Sequence, residues 1–417
     1  ALERALGGAG GTVTVSATTG LGKSRLIGEA LKGLKATRVV VRAEPYGMTS
    51  PYRMLRDPVR QAFGVERGTP DEMAHAFLST FRERMPDQLP YAALLADVVN
   101  IPLPETPESR AIDPQFRPDR IADLVLRAIL TSVQGPFVLL VEEGHWADSS
   151  SITVLNKVAE AAPGKPWAVV VARRTEGEGF DPAAGTHVEL GPLPDDVMAQ
   201  IVIDTTSDAP LRPEAVAGIV SRAQGNPLFV DELVRVFREV GSLDAMPDSL
   251  HAALDAQIDA LDPHSRRVLR YASVLGRSFR REVINETLRG DDLVIDEATL
   301  SKLGQFLEPD GPDRLRFRNS MIRDAAYEGL AYRLRAKLHA AAGRAVEKLS
   351  KDLEADADTL SLHFWRAGDD DRTWTFARMA GDRAARAFAN VEASTQYERA
   401  WGAAADAGAS RDERLAL

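Results

Sequence analysis

Five short stretches within the first 190 positions are built from apolar and β-branched residues, and helically spaced segments separate them. Residues 12–16 (Thr-Val-Thr-Val-Ser), 38–42, 137–141, 167–172 and 187–190 read as strands, because such side chains pack well on a pleated surface. Strands alternating with helices predict an α/β fold with a doubly wound parallel sheet and any ligand at the carboxyl ends of its strands. Downstream, Gly191-Pro192-Leu193-Pro194 reads as a rigid linker and Asp195-Asp196 as a helix start. Helical patterns at 195–207, 212–224 and 229–240 predict a small lid over 191–247. Helices and a short strand at 314–318 predict a winged helix over 248–330. Residues 331–417 are almost wholly helical. There Trp374, Phe376, Ala380, Ala384, Ala387 and Phe388 supply the alternation of large and small side chains that stacked helix pairs need.

Composition narrows the class of protein. At ~150 residues per domain, 417 residues suggest two to four domains. The net charge of −10 excludes whole-chain attraction to nucleic acid or anionic lipid. The chain has no cysteine, which rules out disulfides, thiolate metal sites and a cysteine nucleophile. No apolar run reaches the ~18 residues that span a bilayer, and no signal peptide opens the chain, so a cytoplasmic location is expected. Leu2-Glu3-Arg4-Ala5-Leu6 resembles the last turns of a helix and 411–417 stops in mid-pattern, so we expect a piece of a longer polypeptide.

Candidate chemistry sits at the strand ends. After the first strand comes Ala17-Thr18-Thr19-Gly20-Leu21-Gly22-Lys23-Ser24, then a helix opening with Arg25. Strand, glycine loop, Lys-Ser and helix form the context of a phosphate-binding P-loop. Gly20 and Gly22 let backbone N–H groups turn onto phosphates, Lys23 neutralises their charge and Ser24 ligates Mg2+. Only nine of the 51 basic residues are lysine, which makes Lys23 conspicuous. Ala17 stands where the motif has glycine. The strand at 137–141 runs into Glu142-Glu143; Glu142 would hold Mg2+ through water and Glu143 would polarise an attacking water. Glu142 replaces the usual Asp, so hydrolysis is expected to be slow or absent. The strand at 167–172 ends in Arg173-Arg174, candidates for sensing a γ-phosphate. The seven histidines show no ligand spacing, and His145 reads as a structural hydrogen-bonder.

Glu142-Glu143-Gly144-His145-Trp146-Ala147-Asp148 resembles a segment of signal-transduction ATPases with numerous domains, the STAND class. So does Gly225-Asn226-Pro227-Leu228-Phe229-Val230-Asp231-Glu232-Leu233, and the likeness extends to Pro45-Tyr46 and Pro51-Tyr52. Residues 103–108 and 113–117 are most similar to the ATPase portion that follows a class III nucleotide cyclase domain in actinobacterial proteins. A related portion precedes the helix-turn-helix of large LuxR-type regulators. The resemblance implies an ATP/ADP switch, closed with ADP and open with ATP, that acts on an effector domain of the same polypeptide. It places Pro227 against the adenine and, where family members often have His near a β-phosphate, it has Asn319. Residues 363–369 and 397–400 resemble tetratricopeptide helix pairs, implying a protein or peptide partner. A basic stretch at 266–281 makes the winged helix a candidate DNA reader, but the resemblance favours packing on the nucleotide domain. Oligomerisation is compatible with this class. Ala17 and Glu142 also admit a degenerate scaffold that does not hydrolyse ATP.

Overall fold

The computed structural model describes residues 1–65, 68–242 and 249–417. The boundary expected at 247/248 lies outside the described residues. Strands β1 (Gly11–Ser16), β2 (Thr37–Arg42), β3 (Phe137–Glu142), β4 (Trp167–Arg173) and β5 (Thr186–Glu189) form one parallel sheet in the order β2-β3-β4-β1-β5. Every strand foreseen in the sequence is present, within two residues of its expected ends.

The two-residue period of β3 and β4 divides the core into two layers. Val138, Ala168 and Val170 face a cluster with Val13, Val15, Ile27 and Leu31, which seats helix Lys23–Leu31. Phe137, Leu139, Val141, Trp167, Val169 and Val171 face the opposite way, toward helices Arg53–Phe63, Arg117–Ser132 and Ser149–Ala161. Central β4 is buried along its whole length, whereas β2 is largely exposed at the sheet edge. This order brings the ends of β1, β3 and β4 side by side.

Helices Asp195–Thr205, Pro213–Ala223 and Pro227–Val240 follow. They share one apolar core with the 249–330 region: Met198, Ile219 and Leu233 pack in the same cluster as Leu254, Leu269 and Phe317. The 249–330 region holds helices Leu250–Ala260, Pro263–Ala272, Arg281–Leu288 and Glu297–Leu303. It also holds an antiparallel sheet of β6 (Ser278–Arg280), β7 (Leu307–Pro309) and β8 (Arg314–Phe317), in the order β6-β8-β7. The sequence had shown only β8, because three-residue strands carry too little alternation to register.

Helices Tyr332–Leu349, Ala357–Ala367, Asp370–Arg386 and Asn390–Ala403 then pack each on the next. Two glycines set their spacing. A Cβ on Gly343 would lie 2.8 Å from the Phe364 ring, and one on Gly381 would lie 2.6 Å from that of Tyr397. Tyr397 cannot swing aside freely, because its hydroxyl donates to Asp382 Oδ1 at 2.8 Å. Gly381→Ala is therefore expected to destabilise the chain by ~1–3 kcal/mol despite alanine's better helix propensity. Urea denaturation followed by circular dichroism measures this, and a variant as stable as the parent would contradict the packing.

The helical region touches the α/β domain through buried polar contacts. Glu392 accepts from the Ser150 N–H (2.9 Å) and hydroxyl (3.2 Å), capping the start of helix Ser149–Ala161. Tyr46 receives hydrogen bonds at its hydroxyl from both Arg323 and Arg366. One α/β residue is thus held by the 249–330 region and by the C-terminal helices together.

Candidate functional site

The loop after β1 has the backbone a phosphate cradle needs. Gly20 and Gly22 adopt φ +93° and +89°, where a side chain would be strained. Gly22 is the N-cap of helix Lys23–Leu31, so that helix's unpaired N–H groups open onto the loop. Ala17 is fully buried and does not take a positive φ, so its methyl sits in an ordinary conformation. Lys23 Nζ donates to the carbonyls of Ala17 (2.8 Å) and Thr18 (3.1 Å). Burial pulls Lys23 below its ordinary pKa; the Glu143 carboxylate opposes that shift and Arg174 reinforces it. Ser24 and Arg25 are exposed in the first turn, and Thr18, Thr19 and Leu21 complete the loop.

Asn226 covers this loop, a role the sequence reading did not assign. Its Nδ2 donates to the Thr19 carbonyl at 3.1 Å, while its Oδ1 accepts from the Leu228 N–H at 3.1 Å and caps helix Pro227–Val240. A Cβ on Gly20 would collide with the Asn226 amide. Gly225, at φ +75°, packs on Pro192 and Leu193, which fixes the turn before Pro227. The available signal was asparagine directly before a helix-opening proline, a common N-cap pattern. Asn226→Ala is expected to cost ~0.5–2 kcal/mol and to speed amide exchange in residues 18–22. Exchange there at the parental rate would show that the contact does not hold the loop.

Two acids end β3. Glu142 Oε2 accepts from Arg42 Nε at 2.7 Å, across the register that pairs β2 with β3. Arg42 also lies 3.9 Å from Asp310 of the 249–330 region. Glu143 adopts φ +55°, an uncommon value for a non-glycine residue and one that clusters at functional sites. Its Oε1 receives Arg277 Nη1 at 3.2 Å, again from the 249–330 region. His145 is 5% exposed and is lowered to about 4 by burial, then by Arg174, Lys23 and Arg173. It is therefore neutral near pH 7, and its 3.5 Å contact with Glu143 is not an ion pair. Its Nδ1 accepts from the Arg174 N–H at 3.3 Å, which leaves the ring proton on Nε2, toward Glu143.

The two arginines after β4 differ. Arg173 is buried and committed to Asp181 Oδ2 (2.5 Å) and the Gly177 carbonyl (2.6 Å), which ties down the following loop. Arg174 is the one whose charge acts on Lys23 and stands 6.0 Å from the Trp146 ring. Asn319 caps helix Ser320–Glu328, its Oδ1 accepting from the Ile322 N–H at 2.9 Å. Much of the basic stretch at 266–281 is internally neutralised: Arg270 pairs with Asp259 at 2.7 Å, Arg280 with Glu282 at 3.0 Å and Arg277 with Glu143. Among the described residues no cluster of three or more His, Asp or Glu side chains could hold a metal by itself. Ser24 and Glu142 are the residues that would hold Mg2+, with nucleotide phosphates supplying the rest of the sparse protein ligation this ion favours.

Residues 1–171 match the AAA ATPase domain family. An uncharacterized protein of Rhizobium meliloti (strain 1021) is 24% identical over 424 residues, covering 95% of this chain and 40% of its own length. A Pyrococcus horikoshii STAND protein with a tetratricopeptide repeat sensor superposes with a TM-score of 0.54 at 15% identity, covering 97% of this chain and 53% of that one. The chain thus spans about half or less of either relative. No helix among the described residues is long and apolar enough to cross a membrane. The loop after β1, the sheet order and these matches agree: residues 1–171 match the AAA ATPase domain family, and the chain as a whole shares the fold of a STAND protein.

Proposed function

We propose that the chain is an ATP/ADP-binding switch of a larger signalling protein, with slow or absent hydrolysis. The observation that carries this reading is the meeting of Lys23, Glu143 and Arg174 at adjacent strand ends with Arg277 seated on Glu143 from another region. Residues 17–25 cradle the phosphates and Lys23 exchanges its two carbonyl partners for phosphate oxygens. Mg2+, when bound through Ser24 and Glu142, draws negative charge from the phosphates. Glu143 orients water only when Arg277 leaves it, so the arrangement is that of a closed, poorly hydrolysing state. Pro227 borders the adenine and Asn226 couples the lid to the loop. Residues 249–330 act as a winged helix that packs rather than reads DNA, and the C-terminal helices act as tetratricopeptide-like repeats that receive a protein or peptide signal. The effector is a further domain of the same polypeptide, a nucleotide cyclase being the one that segments 103–108 and 113–117 suggest.

Titration with a fluorescent ATP analogue tests this, the expected outcome being saturable, Mg2+-dependent binding displaced by ADP. Absence of binding with and without Mg2+ would leave only a scaffold. The arginines should separate: Arg174→Ala lowers the preference between ATP and ADP about tenfold, the loss of one charge-assisted contact, while Arg173→Ala lowers stability and leaves that preference intact. Equal loss of preference in both variants would refute the assignment.

A further inference from the structure

A cavity of 730 Å³ lies away from the P-loop, between the α/β domain and the C-terminal helices. That volume falls within the ~300–1,000 Å³ usual for small-molecule sites. Five guanidinium groups line it, and three are already spent. Arg117 forks onto Glu105 at 2.7 and 3.1 Å and stands 4.2 Å over the Phe388 ring. Arg386 pairs with Glu354, and Arg383 donates to the Glu354 and Ala355 carbonyls at 2.6 and 2.7 Å.

Arg56 and Arg110 have no carboxylate at ion-pair distance among the described residues; Arg110 gives one N–H to the Glu105 carbonyl at 2.9 Å and keeps its other donors. Arg56 is 6% exposed, its Nε has no partner, and its hydrogen bonds to Ser50 Oγ and the Pro51 carbonyl are long, at 3.4 Å each. Burial lowers its pKa to about 9, and Arg53 and Arg383 add repulsion. A buried cation this poorly compensated is expensive to keep. Among the acids nearby, buried Asp358 offsets part of this burden, and it is shared with Arg383 at 3.4 Å. Asp352 is used by the N–H groups of Glu354 (3.0 Å) and Ala355 (3.1 Å). Asp97 is raised to about 7 by burial and by Glu105, so near neutrality its carboxyl can donate a proton. Apart from Asn100, the remaining wall is apolar, chiefly Ile101, Pro102, Leu103, Pro104 and Phe388.

We propose that this cavity binds a small organic anion, a carboxylate or phosphate on an apolar body. Its charge rests on Arg56 and Arg110 and its body on the 101–104 wall and Phe388. Both walls contribute, so occupancy strengthens the docking of the C-terminal helices on the α/β domain. The site is independent of the nucleotide reading and stands whether or not the P-loop takes ATP.

Calorimetry and thermal melting of the 417-residue chain with phenyl phosphate, benzoate and inorganic phosphate test it. At least one organic probe should bind saturably, one per chain, and raise the melting temperature. Inorganic phosphate should bind roughly tenfold more weakly, because it forgoes the apolar wall. Which organic probe binds tells carboxylate from phosphate. Arg56→Met should melt no lower than the parent without ligand yet lose the ligand-dependent rise, a combination that a purely structural arginine would not give. Arg110→Gln, at an exposed position that does not endanger folding, should weaken binding about tenfold. No saturable binding of either organic probe, equal binding of inorganic phosphate, or unchanged affinity in Arg110→Gln would each overturn the proposal. An Arg56→Met chain that unfolds would count against it, since the site requires that arginine to burden the fold rather than support it.

Discussion

Lys23→Ala should raise the dissociation constant for Mg2+-ATP by at least ~30-fold, with the melting temperature close to the parent's. The charge is partly buried at the mouth of helix Lys23–Leu31, and removing a charged partner from a phosphate in such a setting costs ~2–5 kcal/mol. Little stability is lost, because Lys23 supports the fold only through its bonds to the Ala17 and Thr18 carbonyls, which water can replace. The pairing of a large binding effect with a small stability effect separates a phosphate ligand from a structural lysine. Fluorescent-nucleotide titration beside thermal melting gives both numbers. A variant that still binds ATP within about threefold of the parent would remove Lys23 from the site.

Arg277→Gln should act in the opposite sense and accelerate ATP turnover. Arg277 holds Glu143 from outside the α/β domain, at 3.2 Å, with the two side chains 19% and 26% exposed. Partial exposure screens the pair, so its loss is worth about 1–2 kcal/mol rather than the larger values of buried pairs. Through the closed-to-open equilibrium this is roughly a five- to thirtyfold shift toward the open form. Single-turnover hydrolysis should rise accordingly. Turnover unchanged in a folded variant would make Arg277 a packing residue and nothing more.

The sheet was legible because each strand couples a run of β-branched residues to a strong punctuation mark, such as Gly20, Glu143 or the Gly191-Pro192 turn. The P-loop was legible for the same reason: its chemistry lies within eight consecutive positions. What stayed hidden depends on residues far apart in the chain. Arg277 and Glu143 are separated by 134 positions, Asn226 and Thr19 by 207, and Glu392 and Ser150 by 242. No local period carries such pairings. Arg173 and Arg174 were indistinguishable in the sequence because their difference lies in Asp181 and Gly177, which capture only the first. The 249–330 region reads as distinct from the lid because the helical pattern changes near 248; a core shared between the two is set by packing of segments far apart, which no local pattern carries.

The distance between the α/β domain and the 249–330 region tests the switch most directly. The chain has no cysteine, so Lys35→Cys with Glu297→Cys, both exposed positions, accept a pair of spin labels without background. With ADP the distance distribution should be single and match the arrangement in which Arg277 reaches Glu143. With a non-hydrolysable ATP analogue a second, longer distance should appear. The same distribution with ADP, with the ATP analogue and with no nucleotide would contradict a nucleotide-governed switch.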